Sequence, residues 1–181
     1  MNRTIKIFLK ILGGIAIVFM IFIIGVLIWF NVSLRNKKKQ AEIDYATQSA
    51  ICDSIQIITD QPQVGLNDFD NEDISVLRFS IVREGAIISD TLIYNQTQSP
   101  NIPFVNFLKT DTILVKTKNG LCYFTTGYKY KAYLGYGMYG YVGFKECRLS
   151  SEIIVNGKQQ SSTSLYPEKG IKLTDLPESF K

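Results

Sequence analysis

The sequence predicts an all-β domain, an antiparallel sandwich or small barrel of about seven strands, joined to one N-terminal transmembrane α-helix. Three observations support this fold class. An uncharged run of 24 residues begins at Ile11 and ends at Leu34, near the start of the 181-residue chain. From residue 53 onward, apolar and polar residues alternate with the period of a strand. Turn signals recur there about every 8–12 residues, as in sandwiches and small barrels.

The uncharged run is long enough to cross a lipid bilayer as a helix. A hydrocarbon core about 30 Å thick needs roughly 20 helical residues. Trp29 and Phe30 lie near the C-terminal end of the run, where aromatic rings favour the headgroup boundary. The run exceeds the apolar core of a cleaved signal peptide and lacks a small-x-small site, so we predict an uncleaved anchor. Homodimerisation through this helix stays open but is not indicated, because Gly14 and Gly25 lack the four-residue spacing of a dimer motif.

Composition divides the chain into five segments. The segments are a short basic N-terminal tail (residues 1–10), the transmembrane helix (11–34), a basic juxtamembrane segment that can continue the helix (35–52), the β-rich domain (53–157) and a polar, largely irregular C-terminal tail (158–181). Three basic residues precede the apolar run and four follow it, so the positive-inside rule decides little. Because a ten-residue tail with three charges is hard to translocate and a long domain can cross regardless of charge, we expect a cytoplasmic N-terminus and an extracytoplasmic domain.

The net charge of +4 belongs to the anchor region. Seven basic residues and no acidic ones lie in the first forty positions. The remaining 13 Lys and Arg face 16 Asp and Glu, a balance of −3. A nucleic-acid-binding domain needs a basic patch of its own. We therefore expect no nucleic-acid partner.

Two hairpins are predicted from turn residues. Asn119-Gly120 suits a two-residue type I′ turn, since both residues tolerate positive φ. That turn would pair residue 118 with 121, 117 with 122, 115 with 124 and 113 with 126. Its core face would then carry Ile113, Val115, Thr117, Cys122, Phe124 and Thr126. A second hairpin is expected over residues 74–94, turning near Glu84-Gly85, and further strands over residues 54–59, 136–147 and 152–155.

The three cysteines do not predict a firm pairing. Cys52, Cys122 and Cys147 are an odd number, so at most one internal disulfide can form. Their spacings of 70 and 25 residues match no zinc pattern. Three buried thiols are slightly favoured over one bridge.

Catalytic and metal-binding patterns are scarce. The sequence has no His, which excludes Ser-His and Cys-His nucleophiles and imidazole metal sites. Paired carboxylates remain open, and Asp53, Asp60, Asp90 and Asp111 lie at expected strand ends. The acidic segment 68–73 is not an EF-hand loop, because its sixth position is Asp73 rather than Gly. We expect no enzyme, no cofactor and no metal, and rank a carboxylate-dependent hydrolase last.

A tyrosine- and glycine-rich segment is the predicted binding region. Residues 127–144 hold six of the ten tyrosines together with five glycines. Tyrosine offers a large amphipathic contact area at a small entropic cost. The predicted binding residues are Tyr128, Tyr130, Tyr133, Tyr136, Tyr139 and Tyr141, although aromatics packed within twisted strands would give the same pattern.

The sequence therefore favours a membrane-anchored interaction module with an unknown protein or glycan partner. The alternative is a structural or accessory subunit of a cell-envelope complex. Asn95-Gln96-Thr97 is a glycosylation sequon if the domain faces outward in a eukaryote.

Overall fold

A computed structural model describes residues 3–94 and 97–178. Asn95 and Gln96 of the sequon lie outside the described residues. The chain forms two compact units, one of residues 1–47 with 133–145 and the other of residues 48–132 with 146–181. One long apolar helix and a mostly antiparallel β domain make up the fold, as the sequence predicts in outline.

Helix α1 spans Arg3–Asp53, 51 residues without interruption. Its segment Leu12–Asp53 is long and apolar enough to cross a membrane, with a mean hydropathy of 2.8 in its most apolar window. Large apolar side chains are exposed on every side of the helix, and Trp29 is 70% exposed. A helix that is apolar all round needs an apolar environment. The rest of the protein does not supply that environment, because the most apolar window of α1 is 0% buried.

The second unit is built around a seven-stranded sheet. The strands of the described residues are β1 (Ile57–Ile58), β2 (Gly65–Leu66), β3 (Val76–Arg83), β4 (Ala86–Tyr94), β5 (Phe107–Leu108), β6 (Thr112–Thr117), β7 (Leu121–Thr126), β8 (Tyr130–Gly137), β9 (Gly140–Leu149), β10 (Ile153–Val155), β11 (Lys158–Gln160), β12 (Ser164–Leu165) and β13 (Ile171–Lys172). The large sheet has the order β11-β10-β7-β6-β3-β4, and β13 also pairs with β7. Three two-stranded pairs complete the structure: β1 with β5, β2 with β12, and β8 with β9.

The predicted register of the β6–β7 hairpin is wrong by one residue. Val115 pairs with Tyr123, and Ile113 with Thr125. The chain makes a longer turn in which the Gly120 amide donates to the Thr117 carbonyl, and Gly120 alone of the predicted turn pair has positive φ (82°). This shift moves every β7 side chain to the opposite face.

Packing explains why the shifted register is favoured. It places the large ring of Tyr123 in the main core with Ile113 and Val115, and all three are fully buried. Cys122 is buried as predicted, but on the other face of the sheet, beside Leu114. Each face of the central strands is therefore covered by its own apolar cluster.

The hairpin predicted at Glu84-Gly85 is confirmed. Strand β3 pairs with β4, Arg83 lies opposite Ala86, and both turn residues have positive φ (51° and 80°). The strand expected over residues 136–147 is instead a hairpin. The chain reverses between β8 and β9 at a turn flanked by Gly137 and Gly140, and Gly140 has φ of 92°.

The C-terminal tail, expected to be largely irregular, contains three short strands and two 3₁₀ turns, Pro167–Lys169 and Leu173–Asp175. Its β13 pairs with β7. The Tyr123 hydroxyl donates to the Tyr166 carbonyl at 3.0 Å. A Cβ built on Gly170 would lie 2.6 Å from the Tyr123 hydroxyl. The tail therefore packs directly on the sheet.

Candidate functional site

Two of the six predicted binding tyrosines lie in the core of the second unit. Tyr128 and Tyr130 are 1% and 6% exposed. The Tyr128 hydroxyl is 2.7 Å from the Thr125 hydroxyl, and the Tyr130 hydroxyl accepts a hydrogen bond from the Thr59 amide. Burial raises the pKa of Tyr128 well above its ordinary value. Both rings have structural partners in the folded protein.

The other four tyrosines belong to the first unit, on the β8–β9 hairpin. Tyr141 is 7% exposed, and its hydroxyl donates to Asp44 of α1 at 2.5 Å. Burial and this hydrogen bond raise the pKa of Tyr141 to about 12. Tyr133 is partly exposed beneath the Lys145 ammonium, 5.8 Å from its ring centroid. The remaining exposed tyrosines of the predicted set are Tyr136 and Tyr139.

The turn of this hairpin lies against α1 where the apolar run ends. A Cβ built on Gly140 would be 3.5 Å from the Leu34 Cδ2 atom, and the Lys37 ammonium donates to the Tyr139 carbonyl at 3.1 Å. The Tyr139 side chain helps to line a cavity of about 440 Å³ together with Trp29, Phe30, Ser33, Leu34 and Lys37. We call residues 136–142 the hairpin tip.

A second accessible surface is the outer edge of β4. This nine-residue strand ends the seven-stranded sheet, and β3 is its only partner strand among the described residues. In an antiparallel edge strand, every second residue directs its N–H and C=O groups away from the sheet. Apolar side chains along β4 are exposed at Ile87, Ile88, Leu92 and Tyr94.

The β4 edge has few of the features that protect edges from pairing. Lys, Pro and inward charges commonly block such edges. The strand contains no Lys, Arg or Pro. Its one charged residue, Asp90, is held within the sheet by Arg78 at 2.7 Å and by the Ser80 hydroxyl at 2.7 Å. A register shift at Ile81/Val82 bends only the start of the strand, which leaves Ser89 to Tyr94 in regular pairing.

A cleft of about 400 Å³ opens in the second unit. Its lining includes Lys109, Lys129 and Glu152. The Glu152 carboxylate accepts a hydrogen bond from Lys131 at 2.6 Å and lies 3.7 Å from the Lys129 ammonium. The Glu152 carboxylate of this cleft is therefore paired with two lysines.

Four acidic side chains have a pKa shifted in the direction opposite to that of a general acid. A general acid needs a raised pKa. Four carboxyl groups instead have their pKa lowered, because each accepts a hydrogen bond from a cation: Asp53 from Lys109, Asp90 from Arg78, Asp111 from Arg83 and Glu152 from Lys131. Asp60, the remaining acid singled out by sequence, is exposed.

Segment 68–73 forms a turn before β3. Glu72 pairs with Lys118 at 3.1 Å, and Asn71 accepts a hydrogen bond from Gln98. Within residues 3–94 and 97–178, no group of three or more Cys, Asp or Glu side chains is arranged to hold a metal ion.

Comparison of the chain with known protein families, curated proteins and solved structures finds no match. The β4 edge is absent from the binding residues predicted by sequence. The strand itself is predicted, but its place at the end of the sheet depends on pairings between strands far apart in the chain.

Proposed function

We propose that the chain is a single-pass membrane protein that holds a sandwich-like β domain outside the cytoplasm as a protein-binding module. Strand β4 is its recognition edge, and an extended segment of another protein is its partner. The observation that carries the proposal is the nine-residue β4 edge, exposed and without Lys, Arg or Pro.

The anchoring part of the proposal is supported by α1. Its apolar segment is exposed on all sides, and a bilayer core is the environment that such a helix requires. The extracytoplasmic side is supported by the disulfide between Cys52 and Cys147. Disulfides form and persist in oxidising compartments and are rare in the cytosol.

The binding part of the proposal follows from the chemistry of an edge strand. A partner strand would complete the outward-facing backbone hydrogen bonds of β4 and gain affinity from them. Specificity would come from alternate side chains, and Leu92 and Tyr94 are exposed on the face shared with Arg78. The preferred partner segment is therefore extended, with apolar residues at every second position.

Site-specific photo-crosslinking tests this surface. A photoreactive residue placed at Leu92 or Tyr94 of the full chain should form an adduct with one and the same protein in native membranes. Val105, which is 56% exposed and lies outside β4, is the matched control site. In the purified complex, those amides of the segment Ser89 to Tyr94 that point away from β3 should exchange with deuterium at least about tenfold more slowly than in the free protein, as newly paired strands do.

Lysine substitutions supply the functional control. Leu92→Lys with Tyr94→Lys should abolish the adduct, because edge lysines oppose strand addition. Val105→Lys should leave it intact, and both variants should keep the melting temperature. A double lysine variant that still captures the partner, or unchanged exchange of the β4 amides in the complex, would rule out strand addition. A stoichiometric neighbour in every preparation would identify the module as an accessory subunit of that complex.

A further inference from the structure

The geometry points to a second membrane contact: the hairpin tip enters the headgroup layer of the bilayer that α1 spans, with Met138 and Tyr139 as its leading side chains. This inference rests on the proposed anchoring role of α1. It assigns to the exposed part of the tyrosine-rich segment a lipid partner in place of a protein or glycan.

The depth of the tip follows from its contact with Leu34. The apolar run of 24 residues is about 36 Å long as a helix, whereas the hydrocarbon core is about 30 Å thick. A centred run therefore places Leu34 about 3 Å beyond the core, within a headgroup layer roughly 5–8 Å deep. Gly140 packs on Leu34, and Tyr139 shares a cavity with Trp29, so the tip lies at that depth.

The side chains of the tip suit this environment. Met138 is 91% exposed, Tyr139 62% and Tyr136 65%. Exposed neighbouring apolar groups of this kind are costly in water. The rings of Tyr and Trp are favoured at the membrane interface, because one end of each ring is apolar and the other can form hydrogen bonds. Tyr139 lies beside Trp29 and Phe30, the aromatic pair near the C-terminal end of the apolar run.

Three contacts hold the tip against the helix. The Lys37 ammonium donates to the Tyr139 carbonyl, and the Tyr141 hydroxyl donates to Asp44 ten residues beyond Leu34. Gly140 allows the close backbone approach to Leu34. These contacts are spread over about 15 Å of α1. The position of the helix in the bilayer therefore sets the depth of the tip.

The charge of the neighbouring helix surface also favours lipid. Arg35, Lys38 and Lys39 follow the apolar run directly. Basic side chains at this depth attract anionic phosphate headgroups. An apolar tip beside a basic cluster is the pattern of a segment that binds a membrane surface.

Depth-dependent fluorescence quenching tests the inference on the full chain in vesicles of phosphatidylcholine and phosphatidylglycerol. Met138→Cys carries an environment-sensitive fluorophore, and the lipids carry a nitroxide near the carbonyl end of the acyl chain. Cys122 is buried and Cys52 is bonded to Cys147, so the new thiol is the reactive one among these. Val26→Cys marks the bilayer, and Glu42→Cys, eight residues beyond Leu34, marks water.

The label at position 138 should show blue-shifted emission and lose a fraction of its fluorescence comparable to that of the Val26→Cys label, while the Glu42→Cys label stays unquenched. A quenched label at 26 with an unquenched label at 138 overturns the lipid contact and leaves the anchor intact. Unquenched labels at both positions overturn the anchor. Blue-shifted emission at 138 without quenching shows that protein covers the tip and overturns the proposal.

Discussion

Cys52 in the last turn of α1 is bonded to Cys147 in β9, with their Cα atoms 5.4 Å apart. The two residues are 95 positions apart in sequence, so the bond encloses β1–β8 and most of β9. Cys122, the third cysteine, is free and buried. The sequence slightly favours three buried thiols over one bridge, and that prediction is wrong.

Loss of this disulfide should destabilise the β domain strongly. A cross-link that closes a loop of this length restricts the unfolded chain, and its removal costs about 3–5 kcal/mol. Cys52→Ser with Cys147→Ser should lower the free energy of unfolding by this amount in a urea titration of the full chain. Reductant should bring the native protein to the same level and leave the double variant unchanged. A native protein insensitive to reductant would contradict the bond.

The Arg83–Asp111 pair should respond asymmetrically to substitution. Asp111 is fully buried and accepts hydrogen bonds from the Arg83 guanidinium at 2.7 and 2.8 Å and from the Leu108 amide at 2.7 Å. Arg83→Leu leaves a buried carboxylate without its cation and should cost about 3–5 kcal/mol. Asp111→Asn keeps an acceptor for the Leu108 amide and should cost only about 1–3 kcal/mol. Urea titrations at neutral pH compare the two.

The same pair predicts a pH dependence. Arg83 lowers the pKa of Asp111 below its ordinary value of 3.8, so the pair stabilises the native protein above that pH and loses its effect as the pH falls through the lowered pKa. In Arg83→Leu the pKa of Asp111 should rise, because burial then raises it and only the Leu108 amide remains to lower it. The cost of Arg83→Leu should therefore shrink between about pH 7 and about pH 4. A cost that is constant over this range would contradict an ionised Asp111.

The two Asn-Gly sequences should differ in their sensitivity to alanine. Asn156 has φ of 48°, accepts a hydrogen bond from the Phe124 amide and donates to the Lys169 carbonyl. Asn156→Ala should cost about 2–4 kcal/mol, from backbone strain and two lost hydrogen bonds. Asn119 is exposed in the longer turn, and Asn119→Ala should cost less than about 1 kcal/mol. Equal costs in thermal or urea unfolding would contradict the observed β6–β7 register.

Local patterns predicted the helix, the Glu84-Gly85 hairpin and the alternation of the strands, because these depend on neighbouring residues. The register of β6 with β7 depends on which side chain fills a core made by the whole domain. Tyr123 fills that core, and the Asn-Gly pair at the turn carries no information about which side chain of β7 is buried there. The same Asn-Gly chemistry does form a two-residue turn at 156–157, where Val155 pairs with Lys158.

The outcome for the predicted binding tyrosines also depends on contacts that local sequence does not predict. Composition singled out the segment, but burial separates Tyr128, Tyr130 and Tyr141 from the exposed Tyr136 and Tyr139. The partners that bury them, such as Thr59 and Asp44, are about 70 and 97 residues away in sequence. The order of strands that leaves β4 at an edge is likewise a long-range property.

Membrane topology tests the central claim most directly. Ser161→Cys in the exposed part of the C-terminal region and Asn2→Cys in the N-terminal tail provide one reporter thiol at either end of the full chain. An impermeant maleimide added to intact cells should label the thiol at 161, and should label the thiol at 2 only after the membrane is permeabilised. Labelling of position 2 in intact cells, with position 161 protected until permeabilisation, would contradict an anchored domain outside the cytoplasm.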